Sequence, residues 1–149
     1  MATAQQQLDG FLKKYSPEME KLGRAVIAYL RKRLPGAICL VYDNYNALSV
    51  GFWPTAKASA LPISIALYPR WATLFLMFGA TRDDPEGLLE GKGPRIRSVR
   101  LDGPGGLKSE PVDALVTAAV LQAGWTLDRK AKDEVVIQSV SEKQRPRRP

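Results

Sequence analysis

Three groups of residues are spaced to do chemistry. The first is Gly91-Lys92-Gly93-Pro94-Arg95-Ile96-Arg97. Glycines let backbone N–H groups converge on an anion, and Lys92, Arg95 and Arg97 add charge and hydrogen-bond donors. The GxxxxGK[ST] spacing of a nucleotide-binding P-loop is missing. The plainer reading of this segment is a helix stop followed by a strand with solvated basic residues. The second group is Tyr42, Tyr45, Trp53, Tyr68 and Trp71, all at strand ends or turns. Two or three of them could line an apolar pocket with a polar rim, against the usual fate of aromatics in core packing. The third is the acidic group Asp83, Asp84, Glu86 and Glu90. Carboxylates suit iron or a hard divalent cation, but Asp84 and Glu86 are also what a helix N-terminus favours.

What is missing narrows the chemistry further. The 149 residues include no histidine and one cysteine, Cys39. Triads that use histidine as base, HExxH zinc sites and imidazole proton shuttles are therefore excluded. One cysteine closes no internal disulfide and builds no cysteine-rich metal cage. Cys39 lies in the apolar run Ile38-Cys39-Leu40, where a thiol acts as a small hydrophobe. No pair of groups at telling spacing supports lysine or carboxylate catalysis, so the expectation is a protein that is not an enzyme, with no catalytic residue, metal ligand or cofactor assigned.

The elements that position these residues follow from periodicity. Residues 3–14 predict a short helix with Leu8, Phe11 and Leu12 on one face. Ser16 caps a second helix, Pro17 suits its first position, and Met19, Leu22, Val26, Tyr29 and Leu30 form its apolar stripe. Strands are predicted at 37–42, 47–53, 63–68, 73–78 and 96–101. Asp43, Asn44 and Asn46 supply the first turn, and Pro69-Arg70 marks another. The 73–78 strand is apolar almost throughout and predicts a central or doubly covered position. Asp84-Pro85-Glu86 predicts a short helix through residue 90. Ser109 opens a last helix, whose stripe is Val112, Leu115, Val116, Ala119 and Val120 and whose stop is Gly124.

This order of elements argues for an α+β domain with a mostly antiparallel sheet of about five strands, packed with N- and C-terminal helices. The domain is expected at residues 1–124, with its core from about residue 10. Residues 125–149 are expected to be a charged extension ending in a flexible basic tail. Val135-Val136-Ile137 is a candidate edge strand there. The net charge of +7 divides between this extension, with seven basic and four acidic residues, and a thinly basic remainder. Residues 61–79 are apolar over roughly a membrane-spanning length. Pro69 and Arg70 interrupt them, and a central arginine costs about 2.5–3.5 kcal/mol on insertion scales. Two strands and a turn fit better. Residues 1–14 lack the apolar run of a secretory signal, and with one cysteine this points to the cytoplasm.

Four pieces of sequence, in order, resemble a family. They are the N-terminal amphipathic helix ending in Leu34-Pro35-Gly36-Ala37, the strand Ile63-Ser64-Ile65-Ala66-Leu67-Tyr68-Pro69, the segment from Asp84-Pro85-Glu86 through Gly91-Lys92-Gly93 to Ile96-Arg97, and the helix at 112–123. Together they resemble the bacterial YdhG-like domain family over roughly residues 10–124. The resemblance implies a small α+β domain without established catalytic residues. Some members are described as frataxin-like iron chaperones. The family's Glu…Lys-Tyr…Pro-type segment is here Leu40-Val41-Tyr42-Asp43-Asn44-Tyr45, with only the tyrosine position kept, and a histidine common near the third strand is absent.

The functional expectation is a non-catalytic binding module for a small ligand, with an anion as the candidate. Its expected site residues are Tyr42, Trp53, Tyr68, Lys92, Arg95 and Arg97. An intracellular iron carrier is the first alternative. The second helix, however, carries Lys21, Arg24, Arg31, Lys32 and Arg33 rather than an acidic ridge. Weak, non-specific nucleic-acid binding through the basic tail is the other alternative, with no sequence-reading motif to support it. No membrane partner is expected.

Overall fold

The computed structural model describes residues 2–53, 63–77, 96–101, 110–123 and 134–149. Helix α1 (Ala4–Lys13) starts with a capping box. Thr3 Oγ1 accepts from the Gln6 amide, and the Gln6 side chain accepts from the Thr3 amide. Helix α2 (Pro17–Arg33) starts where Ser16 and Pro17 predict, with the Met19 amide donating to the Ser16 hydroxyl at 3.3 Å. The chain leaves α2 through Gly36, whose φ of 79° lies in the left-handed region.

Five strands then run as an antiparallel meander: β1 (Ile38–Asp43), β2 (Leu48–Trp53), β3 (Ile63–Leu67), β4 (Ala72–Met77) and β5 (Ile96–Leu101). Helix α3 (Glu110–Ala123) follows. A sixth strand, β6 (Glu134–Val140), returns to pair with β1 in parallel. The sheet order is β5-β4-β3-β2-β1-β6. The α+β class stands, with six strands where about five are expected, the sixth being the candidate edge strand at 135–137. The added strand comes from the charged extension, so the sheet draws on residues beyond 124.

Register decides which residues form the core. Cys39, Val41, Leu48, Val50, Phe52, Ile63, Ile65, Leu67, Leu74, Leu76, Val99 and Leu101 all point to one face. The helical stripes pack on that face, through Leu8 and Leu12 of α1, Leu22, Val26 and Leu30 of α2, and Val112 and Val116 of α3. Burying such a side chain contributes roughly 1.5–3 kcal/mol each, which makes this face the main source of stability. The opposite face carries the buried Leu40, Ser64 and Ala66 and the half-buried Tyr42, Thr73 and Phe75. Strand β4 lies one strand from the edge. Its apolar character reflects the buried Ala72, Leu74 and Leu76 on the helix side and half-burial of the residues between them.

Residues 141–149 differ from the expected flexible tail. They cross the end of the sheet and dock on the β1–β2 turn. Ser141 donates its amide to Asp43 O at 2.9 Å, and Arg145 donates its amide to Tyr45 O at 2.8 Å. The composition of this segment predicts solvation. It docks because β6 delivers it beside a buried carboxylate.

Candidate ligand site

The site is assembled at the end of the sheet where the β1–β2 and β3–β4 turns meet the C-terminal segment. In the first turn, the Asn44 amide donates to Ala47 O. In the second, the Tyr68 amide donates to Trp71 O at 2.9 Å. That hairpin stacks the two rings of its flanking residues, with Tyr68 and Trp71 centroids 4.9 Å apart and planes 19° from parallel. Arg100 of β5 places its guanidinium 4.7 Å from the Trp71 ring centroid. The indole is thus held by an aromatic and a cationic neighbour.

The C-terminal segment is fixed by one buried ion pair. Arg147 Nη2 donates to Asp43 Oδ1 at 2.9 Å, and the two side chains are 2% and 1% exposed. The same guanidinium donates to Asn44 O at 2.5 Å and to Tyr45 O at 3.3 Å, and lies 5.9 Å from the Tyr15 ring centroid. Lys14 Nζ donates to the other oxygen of Asp43 at 2.9 Å and to Gln144 Oε1 at 3.1 Å. Burial pushes the Asp43 carboxyl up, but hydrogen bonds from partners including Lys14 and Arg147 outweigh it and hold the group below its ordinary value. The Tyr15 hydroxyl donates to Leu67 O and accepts from the Leu48 amide at 3.1 Å, which ties the ends of β2 and β3 beneath this anchor. Burial pushes that hydroxyl's pKa up to about 12.

With Arg147 turned inward, its neighbours Arg145, Pro146, Arg148 and Pro149 wall a cavity of about 530 Å³. Asn46 and the hairpin residues Tyr68, Pro69, Arg70 and Trp71 form the rest of it. Three arginines therefore line the space, and no carboxylate side chain is among these lining residues. Arg145 also lies 5.6 Å from the Tyr45 ring centroid, and Arg148 Nε donates to Lys14 O at 3.3 Å. Arginines held this way suit planar or tetrahedral oxyanions, and the rings beside them suit an apolar body.

Of the site residues expected from sequence, Tyr68 lines this cavity. Tyr42 stands on β1 opposite Ser49, on the sheet face away from the helices. Trp53 pairs with Ile38 at the far end of β2, five pairs from the Asp43–Leu48 position. Arg97 pairs with Leu76 near the start of β5, about 13 Å along the strand from Leu101 at the Tyr68 end. Trp53 and Arg97 therefore do not converge with Tyr68: strand direction puts their backbones at the opposite end of the sheet. Lys92 and Arg95 lie outside the described residues, as does the acidic group at 83–90. Among the described residues, no group of three or more histidine, cysteine, aspartate or glutamate side chains gathers to hold a metal. Cys39 is buried, as its apolar setting predicts.

Sequence reasoning missed Arg70, Arg145 and Arg148. Arg70 reads as a hairpin marker and the other two as solvated tail. The only sequence signal for the docking is the short apolar run 135–137, which places the segment next to the sheet. Among the described residues, no helix is long and apolar enough to cross a membrane. No protein-family model, curated protein or solved structure matches the chain.

Proposed function

We propose that the chain is a cytoplasmic, non-catalytic binding module of the bacterial YdhG-like type, and that it takes a small anionic ligand at the cavity between the β3–β4 turn and the C-terminal segment. The observation that carries this reading is the convergence of Arg70, Arg145 and Arg148 on one cavity, with no acidic side chain among its described lining residues. Like charges brought together repel, and an anion that pairs with them relieves that repulsion. Binding stabilises the folded state by mass action, so a ligand at a hundred times its Kd adds about 2.7 kcal/mol.

Melting curves in phosphate, sulfate, acetate and citrate, at constant ionic strength, test the proposal. The wild-type chain is expected to melt higher in at least one anion, and the Arg70→Gln/Arg148→Gln double variant to lose that increment. Equal shifts in both proteins would assign the effect to general salt stabilisation and overturn the reading.

A further inference from the structure

Resting on that reading, we infer that the ligand carries a planar aromatic ring as well as its anionic group, and that its chemical class is an aryl or nucleoside monophosphate. Apart from Asn46 and the arginines, the described lining residues all carry rings: the indole and phenol of Trp71 and Tyr68 and the pyrrolidines of three prolines. No leucine, isoleucine, valine or methionine is among the described lining residues. Branched aliphatic linings adapt to flexible alkyl chains, whereas flat rings and guanidinium planes present surfaces that a planar π-system covers most completely.

The aromatic wall is also built before any ligand arrives. Trp71 is braced by stacking with Tyr68, by the hairpin hydrogen bond between their backbones and by Arg100 against its ring. A wall already ordered loses little side-chain entropy on binding. Three arginines favour a ligand with more than one negative charge, which a phosphate monoester supplies near neutral pH. A volume of about 530 Å³ is within the usual size range of small-molecule sites and has room for a ring joined to a phosphoryl group.

Calorimetric titration of the wild-type chain with AMP, phenyl phosphate, ribose 5-phosphate and inorganic phosphate tests the inference. AMP or phenyl phosphate is expected to bind about tenfold or more tightly than ribose 5-phosphate, in line with the usual strength of stacking on an aromatic side chain. Trp71→Leu, which also removes the stack on Tyr68, is expected to bring that ratio to about one. Because the ratio is first read on the wild-type protein, it does not depend on the variant folding. Equal affinity for ring-bearing and ringless phosphates would overturn the ring and leave the anionic reading standing. Saturable heat from none of the four would overturn both.

Discussion

Arg147 and Asp43 are 104 residues apart in sequence and meet at 2.9 Å with almost no exposure to solvent. The pair closes a loop that runs through most of the domain. Removing one partner of a buried pair leaves the other charge uncompensated, at a cost of about 3–5 kcal/mol. Lys14 stays on Asp43 after Arg147→Ala, so the expected loss is nearer the lower end, about 3 kcal/mol by urea unfolding. Hydrogen exchange should report the same change locally. The amides of Ser141 and Arg145, bonded to Asp43 O and Tyr45 O, are expected to lose protection first.

Acid should release the same anchor. The folded Asp43 carboxyl titrates below 3.8, the ordinary value it regains on unfolding. Its contribution is thus fully present above about pH 4 and is lost as pH falls through the depressed folded value. The expected result is a drop in stability and in Ser141 amide protection on acidification below pH 4, absent in Asp43→Asn. A wild-type chain and variant with parallel profiles would place the acid sensitivity elsewhere.

Tyr15→Phe removes one hydroxyl and strands two buried backbone groups, Leu67 O and the Leu48 amide. The expected cost is about 1–3 kcal/mol, measured by thermal or urea unfolding, with little change in fold. The wild-type tyrosine also carries a signature at high pH. Its hydroxyl titrates at about 12 when folded and near 10 when unfolded, so its contribution is present below pH 10 and is lost as pH rises toward 12.

Two helical glycines should respond in opposite directions to the same substitution. A Cβ at Gly10 would meet nothing within 4 Å, so Gly10→Ala is expected to stabilise α1 by about 0.5–1 kcal/mol. At Gly23 the Cβ would lie 2.7 Å from Leu67 Cδ2 and 3.0 Å from Leu12 Cδ2, inside the packed contact of α2 with α1 and β3. Overpacking there costs about 1–3 kcal/mol and outweighs the gain in helix propensity. Paired denaturation curves of the two variants measure both signs.

What was legible in the sequence was local. Ser16-Pro17 announces the start of α2, and the alternation of Leu48, Val50 and Phe52 announces a strand with one buried face, because both signals lie within a few residues. Tyr68 and Trp71 were legible as turn-flanking aromatics for the same reason. Which strand ends come together is a matter of chain direction and sheet order. That is why Trp53 and Arg97 look like companions of Tyr68 until the register separates them. The partners of the cavity rings, Arg145 and Arg148, reach them through the return of β6 to β1 and the burial of Arg147. No short pattern encodes a contact across 104 residues.

The position of β6 has a consequence for how the chain is made. Strand β6 lies between no two others; it flanks β1, which forms near the start of the chain. Until residues 134–149 have been synthesised, β1 is itself an open edge, and Asp43 lacks Arg147 and Gln144. Folding therefore cannot finish domain-wide as the strands emerge from the ribosome in order. The meander can pair early, but the edge closes with a late, long-range step, which slows completion and exposes β1 to pairing with other chains in the interval.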